Sequence, residues 1–196
     1  MHIPPDYEIK DQSLITDFMQ QHPFAQLVCA TDSFPVINHI PLLYDAEQNC
    51  LWGHLAKNNP HLTHLNNSSV CVVFTGPHGY ISPDWYEKTG VPTWNYQALH
   101  IRGTCRTDDS TSRVKNIVDE MSALYQASLG YSWDDNYAHA MLSAIVALKV
   151  DIESMQCQFK LSQDRSAKDQ HNVIKALQEN GQLELAEAMK QARKHI

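Results

Sequence analysis

A short segment between two predicted elements combines a cation with two side-chain amides. It runs His-Leu-Ala-Lys-Asn-Asn-Pro from His54 to Pro60, after an apolar strand-like run and before a helix-start signal. Lys57 and Asn58 can donate hydrogen bonds, and the first turn of a helix carries unpaired N–H groups with partial positive charge. Proteins commonly hold phosphate with such donors. The segment therefore predicts an anion site, with an ordinary surface loop as the alternative.

A second segment is unusually rich in aromatic residues and turn formers. Residues 74–96 contain three Gly, three Pro, two Trp and three Tyr but only three charged side chains. The large aromatic residues are Tyr80, Trp85, Tyr86, Trp94 and Tyr96. An exposed loop gains nothing from such side chains. We expect these rings to pack against a flat ligand or a partner subunit, or alternatively to fold back over the protein's own core.

The remaining histidines and carboxylates form no recognised catalytic motif. His61 and His64 would share a helical face near His54, but no acidic residue follows at a matching spacing, and zinc normally needs three or four ligands. The motifs His-Glu-x-x-His, Gly-x-Ser-x-Gly and Gly-x-x-x-x-Gly-Lys do not occur in the sequence. We therefore expect no metal, and any reaction should be that of a bound cofactor, which His39 and His54 could tune.

Composition and charge exclude several classes of function. A chain of 196 residues, 43% of them hydrophobic, is long enough for one domain with a real core. The formal net charge of −7 has the wrong sign for an overall attraction to DNA, which argues against direct nucleic-acid binding. No apolar run approaches the ~20 residues that span a bilayer. The N-terminus lacks the basic and apolar parts of a secretion signal, so we expect a cytoplasmic protein without a membrane partner.

The five cysteines are scattered along the chain and include no Cys-x-x-Cys pair. Cys29, Cys71 and Cys105 lie in apolar strand-like runs, which is typical of small core residues. This usage indicates a reducing compartment.

The apolar pattern predicts closely spaced strands over most of the first 107 residues. The predicted strands are Phe24–Ala30, Val36–Tyr44, Cys50–His54, Val70–Thr75 and Ala98–Thr107. A later stretch alternates with the period-2 pattern of a half-buried strand, through Val146, Leu148, Val150 and Ile152. Strands this close, without regular alternation with helices, favour a small antiparallel barrel over a doubly wound sheet.

Helical patterns flank these strands. Asp11 can cap a helix over Ser13–Gln20, and a short helix should follow Pro60. The clearest helix begins at Ser110 or Thr111, with an apolar stripe formed by Val114, Ile117, Val118, Met121, Leu124 and Tyr125. A loop over 131–135 precedes a short helix to about Ser143. The tail, 167–195, is predicted to be two helices separated near Asn180-Gly181.

Five stretches together carry a resemblance to a known family. They are His39–Leu42, Gly53–Pro60, Gly76–Tyr86, Val91–Tyr96 and Lys160–Gln163. With them the chain closely resembles the PaiB family, the FMN-binding negative transcriptional regulators, over nearly its whole length. The resemblance implies an α+β fold, namely a mainly antiparallel FMN-binding split β-barrel with flanking helices and a C-terminal helical hairpin. It implies a split-barrel domain over 1–165 with a helical extension over 166–196, and a homodimer with flavin at the subunit interface.

The resemblance also implies which residues hold the cofactor FMN. Split barrels bind the phosphate at the strand–helix junction and the neighbouring strand, which here supply Asn38, His39, His54, Lys57 and Asn58. The residues that would line the isoalloxazine ring or seal the dimer are Thr93, Trp94, Asn95 and Tyr96. The better-known split barrels often use an arginine for the phosphate, whereas the first arginine of this chain is Arg102.

Three functions are compatible with the sequence. The leading hypothesis is a homodimeric FMN protein that acts as a reductase or as a redox-responsive regulator. A direct DNA-binding repressor is the second hypothesis, which the acidic charge disfavours. A haem-binding or haem-degrading enzyme is the third, because some split-barrel relatives degrade haem and the chain has 11 histidines. No catalytic residue is assigned from the sequence.

Overall fold

The computed structural model describes residues 1–88, 90–136 and 139–192 of the chain. The strands within them are β1 (Glu8–Ile9), β2 (Phe24–Cys29), β3 (Val36–Pro41), β4 (Leu43–Asp45), β5 (Cys50–Ala56), β6 (Ser68–Ile81), β7 (Thr93–Asp108) and β8 (Ile145–Lys160). They hydrogen-bond in the order β3-β2-β6-β7-β8-β5-β4, and β1 pairs with β8. The registered pairs are antiparallel, so the predicted antiparallel architecture is confirmed.

Helices lie between and after the strands. They are α1 (Gln12–Gln21), α2 (Leu62–Leu65), α3 (Thr111–Ser128), α4 (Ala167–Glu179) and α5 (Leu183–Ala192), with 3₁₀ turns at Pro5–Tyr7, Pro83–Trp85 and His139–Ala144. Asp11 caps α1 as predicted, because the Ser13 N–H donates to its Oδ1 over 2.8 Å. Gly181 follows α4 with φ +75°. In the described part of the chain, no helix is long and apolar enough to cross a membrane.

Several strand boundaries differ from the sequence prediction. β6 extends to Ile81 and β7 begins at Thr93, so both ends of the aromatic segment 74–96 are strand. The expectation of one long loop there is wrong. The predicted strand Val36–Tyr44 is divided into β3 and β4. The predicted end of the last helix at residue 195, and part of the short helix before Ser143, lie outside the described residues.

Two compact units can be distinguished along the chain. The first unit comprises Met1–Phe18, Thr75–His100 and the chain from Gln156 onward. The second unit comprises Met19–Phe74 and Ile101–Met155. Strands β6, β7 and β8 contribute residues to both units. The predicted division at residue 165 concerns domains and stays a prediction.

The second unit has a core between α3 and the strands. Its buried members include Val114, Ile117 and Met121 from the predicted stripe of α3, together with Trp52 and Ala147. Fully burying an aliphatic or aromatic side chain of this size stabilises a fold by about 1.5–3 kcal/mol. Burial of the stripe therefore explains why α3 forms, and its start at Thr111 confirms the predicted one.

The first unit brings helical side chains directly against the backbone of β6. A Cβ atom at Gly76 would lie 2.6 Å from Phe18 Cε2, and one at Gly79 would lie 2.9 Å from Leu185 Cδ2. Phe18 also packs on Phe159, with ring centroids 5.1 Å apart. The two glycines are thus required by close packing of α1 and α5 on this strand.

The cysteines are free thiols. Burial raises the pKa of Cys50 to about 11 and that of Cys105 and Cys157 to about 12. These thiols are therefore protonated at neutral pH and pack as small apolar side chains.

Candidate functional site

His54 lies near the end of β5 with one ring nitrogen buried. Among the described residues, its Nδ1 has no hydrogen-bond partner. Burial lowers the pKa of the imidazole, so the ring is neutral at neutral pH. Because buried polar atoms are nearly always hydrogen-bonded, an unpaired one marks a place for a ligand or a water molecule.

Lys57 and Asn58 follow β5 and are exposed. The Lys57 backbone N–H donates to Ala144 O over 2.7 Å, which fixes the start of the segment. Its ammonium lies 3.9 Å from Asp109 Oδ2, a solvent-exposed ion pair that an anionic ligand could replace. The predicted helix after Pro60 is present, but α2 has only four residues. Its dipole therefore adds little to the predicted anion site. Binding of an anion there would depend on hydrogen bonds from Lys57 and Asn58.

A chain of hydrogen bonds joins β3 to the residues before α2. The His61 backbone N–H donates to Asn59 Oδ1 over 2.9 Å, which fixes the orientation of the Asn59 amide. Asn59 Nδ2 then donates to Asn38 Oδ1 over 3.0 Å, and the same oxygen lies 3.2 Å from His61 Nδ1. Because Asn38 Oδ1 can only accept, His61 must carry its proton on Nδ1.

Asn38 itself is nearly fully buried, with 8% of its surface exposed. Its Oδ1 is used twice, but its Nδ2 has no partner within the described residues. Asn38 thus offers a pre-oriented donor in the interior of the second unit. His39, next to it on β3, is exposed and stacks on Phe24 with ring centroids 6.1 Å apart.

Thr93 and Trp94 open β7 and are both held by one lysine. Lys160 Nζ, at the end of β8, donates to Thr93 Oγ1 and to the Trp94 carbonyl oxygen, the latter over 3.1 Å. These contacts fix the backbone at the point where the aromatic segment enters the strand.

Asn95 and Tyr96 face more protected surroundings. The Asn95 side chain is fully buried, and its Nδ2 donates to Ser162 Oγ over 2.9 Å and to Met189 Sδ over 3.4 Å. Ser162 adopts φ +65°, a conformation that few non-glycine residues occupy. Tyr96 is half-buried. The Lys160–Gln163 stretch therefore holds Thr93, Trp94 and Asn95 in place.

The aromatic side chains of the segment divide into two groups. Tyr80 and Trp94 remain 45% and 55% exposed, with ring centroids 6.4 Å apart in an edge-on arrangement. Trp85 and Tyr86 are half-buried, and the Arg165 guanidinium lies 4.7 Å from the centroid of the Tyr86 ring. The second group folds back over its own unit, whereas the first group presents its rings outward.

The nine predicted site residues fall in the two units separately. Five lie on β3, near the end of β5 and just after β5 in the second unit, and Thr93–Tyr96 lie on β7 in the first unit. Sequence reasoning did not assign His61, Lys160 or Ser162 to these groups, and it included Asn59 only as an amide of the segment His54–Pro60, without its contact to Asn38. Their partners are 21 to 67 residues away, so no local pattern reveals them.

Solved structures share this fold at low sequence identity. The FAD and haem binding protein from Mycobacterium smegmatis has a TM-score of 0.64 and 15% identity, covering 84% of this chain and 78% of that one. The flavocytochrome Anf3 from Azotobacter vinelandii has a TM-score of 0.65 and 11% identity, covering 86% and 77%. These likenesses concern the fold alone. The predicted class, an α+β split barrel with a C-terminal helix pair, is confirmed.

Sequence comparison then identifies the family. The family model described as "Putative FMN-binding domain" matches residues 1–154. The protease synthase and sporulation protein PAI 2 of Bacillus subtilis is 32% identical over 189 residues, covering 91% of this chain and 89% of that protein. The chain belongs to this FMN-binding domain family, and its resemblance to PaiB is confirmed.

Proposed function

We propose that the protein is a cytoplasmic homodimer that binds FMN at the subunit interface, as a redox flavoprotein or a redox-responsive negative regulator of transcription. Membership of the family supports flavin as the ligand. FMN would supply one- and two-electron transfer, while the protein binds, orients and shields it. His39 and His54 tune flavin affinity or reduction potential in this proposal.

One observation carries the ligand assignment. Asn38 Nδ2 and His54 Nδ1 are buried polar atoms without partners among the described residues, both in the second unit. Leaving a buried donor or acceptor unpaired costs about 1–3 kcal/mol, which a bound ligand can recover. Lys57 and Asn58 follow His54 in the chain and supply a cation and an exposed amide, which are donors that suit a phosphate.

The residues on β7 in the first unit have the chemistry to contact the flat ring of a flavin. The exposed Trp94 ring can stack on an isoalloxazine or on a partner subunit. Thr93 has a hydroxyl that remains able to donate. Asn95 has a structural task, since its amide is buried against Ser162 and Met189, and it positions Trp94 and Tyr96 on either side.

Regulation through direct DNA binding is disfavoured by the charge of the helix pair. Helices α4 and α5 are joined by residues 180–182, as in many helical hairpins. However, α5 exposes Glu184 and Glu187, and Glu187 pairs with Lys190, so the described part of the helix pair offers no excess of cations to a phosphate backbone. We therefore propose that any effect on transcription is indirect.

The visible spectrum of the purified protein tests the ligand. We expect FMN to remain with the protein through gel filtration and to give a flavin spectrum. Haemin should be tested in parallel, because the Mycobacterium smegmatis structure is that of an FAD and haem binding protein. A Soret band with haemin, together with no retained flavin, would favour the haem alternative.

Lys57→Ala tests the phosphate contact. Because the side chain is exposed, we expect FMN binding to weaken by about 1.5 kcal/mol, the lower end for a charge-assisted hydrogen bond. Riboflavin, which lacks the phosphate, should bind both proteins equally. Isothermal titration of the two ligands measures the difference.

A matched control is Lys175→Ala, which removes an exposed lysine lying 3.7 Å from Glu179 on α4. It should leave both affinities unchanged. Equal losses for FMN and riboflavin in Lys57→Ala would exclude a phosphate contact by Lys57.

A further inference from the structure

Lys160 carries a positive charge that the described residues do not neutralise. Its ammonium donates to Thr93 Oγ1 and to the Trp94 carbonyl oxygen, and no carboxylate of the described chain lies within 4.0 Å of it. The side chain is partly shielded from solvent. In the same unit, by contrast, Lys168 pairs with Glu87. An anionic partner could therefore pair with this charge.

Some hydrogen-bond donors of Lys160 and Thr93 also have no acceptor among the described residues. An ammonium has three N–H donors, and two of them are used by Thr93 and Trp94. Since the Thr93 oxygen accepts from Lys160, the Thr93 hydroxyl proton must be donated elsewhere, and it has no acceptor among the described residues. Two unused donors, one of them charged, thus lie side by side.

A purely structural role accounts for only part of this arrangement. Lys160 does hold the start of β7 against the end of β8, but a neutral donor could do the same. A lysine next to a threonine hydroxyl is the kind of donor pair that binds anionic oxygen in phosphate sites. The structural role leaves both the charge and the third donor unexplained.

We propose that Lys160 and Thr93 together bind an anionic group of the flavin. This inference rests on the proposed function. FMN offers two groups of the required chemistry, namely the region of N1 and O2 of the ring, which becomes negative on reduction, and its phosphate. If the phosphate is the group, Lys160 holds it in place of Lys57. Both groups accept hydrogen bonds from an ammonium and a hydroxyl. They can be distinguished by removing the phosphate from the ligand and by changing its redox state.

The test compares Lys160→Met and Lys160→Arg with the unmutated protein, using FMN and riboflavin in oxidised and reduced states. If the pair holds the phosphate, Lys160→Met should weaken FMN by about tenfold or more in both states and leave riboflavin unchanged. If it holds the reduced ring, both reduced ligands should weaken by about tenfold or more and the oxidised ones should change little. Lys160→Arg, which keeps the charge, should retain most of the affinity.

Two further variants serve as a second test of the donor pair and as a control. Thr93→Val removes the hydroxyl at nearly constant volume and should weaken the same ligand in the same state as Lys160→Met does. Lys168→Met removes a lysine of the same unit and should change neither ligand. Near-ultraviolet circular dichroism checks that each variant keeps its tertiary packing.

The inference is overturned if the changes in binding affinity do not depend on which ligand is bound or on the charge at position 160. Equal weakening of all four ligand forms, with no recovery in Lys160→Arg, would show that Lys160 only holds Trp94 in place. Unchanged affinities in Lys160→Met and Thr93→Val, with FMN still bound, would reject the anion site alone. Failure of the unmutated protein to bind FMN would reject the proposed function and this inference together.

Discussion

At the residue scale, His54 has an environment that favours its neutral ring. Its Nδ1 is buried without a partner in the described residues, and burial lowers the pKa of the imidazole. In an unfolded chain a histidine titrates near ~6.5. Below that pH the unfolded chain takes up a proton that the folded chain does not, so acid destabilises the fold through this residue.

We expect His54→Phe to make the free energy of unfolding of the apoprotein less dependent on pH. Above about pH 6.5 the histidine is neutral in both states and contributes nothing. As the pH falls from there through the lower folded-state pKa, the unmutated chain loses stability that the variant keeps. Urea unfolding at about pH 7.5 and about pH 5.5 measures the two slopes.

The control for this prediction is His171→Gln, because His171 lies exposed on α4. This variant leaves the buried ring nitrogen of His54 in place, so it should keep the pH dependence of the unmutated protein. An unchanged dependence in His54→Phe would mean that the folded His54 titrates as an unfolded one does.

The sequence reveals site residues only where the signal is local. Lys57 and Asn58 are candidates from the sequence because a cation and an amide stand together between a strand and a helix. His61 could not, because its contact with Asn38 depends on β3 meeting a segment 23 residues further along. Lys160 contacts Thr93 across 67 residues, and its unneutralised charge is visible only in three dimensions.

At the scale of elements, β6 contains two glycines, a residue type whose presence argues against a strand when the sequence is considered alone. Glycine weakens isolated strands, which is why Gly76 and Gly79 favour a loop on local grounds. In the structure they let Phe18 and Leu185 pack on the strand backbone. By contrast, α3 was predictable within a residue or two because its apolar stripe is continuous in the sequence.

Gly79→Val should destabilise the protein by about 1–3 kcal/mol, the usual cost of overpacking a close contact. A Cβ at this position would contact Gln182 and would lie 2.9 Å from Leu185 Cδ2. Gln182 can move aside because its side chain is flexible, whereas the buried Leu185 cannot move without shifting α5. Urea unfolding at constant pH measures the loss.

Thr75→Val is the control on the same strand, at an exposed position. It should change the free energy of unfolding by no more than about 0.5 kcal/mol. A comparable loss in the two variants would mean that strand propensity, rather than contact with α5, decides the effect.

At the scale of the whole molecule, the net charge disfavours nucleic acid as a partner, whereas the exposed aromatic rings favour a protein surface. The charge of −7 repels nucleic acid, whereas exposed Tyr80 and Trp94 form one patch with His78, whose ring centroid lies 6.5 Å from that of Trp94. Contiguous aromatic patches on monomers are uncommon and usually mark an interface. A second copy of the chain is the proposed partner, because the same segment is expected to seal the flavin site.

Trp94→Lys should therefore weaken the proposed homodimer, with its dissociation constant rising by about thirtyfold or more, as for a central aromatic residue. Tyr80 contacts Trp94, so adding Tyr80→Lys should cost less than the sum of the two changes. Sedimentation velocity from nanomolar to micromolar concentration measures the equilibrium. Leu129→Lys, at a 69% exposed residue of the second unit, is the control that should stay dimeric.

If FMN binds at the interface, saturating FMN should shift the unmutated protein further toward dimer. A monomeric unmutated protein at micromolar concentration, with or without FMN, would contradict both the dimer and the interfacial flavin.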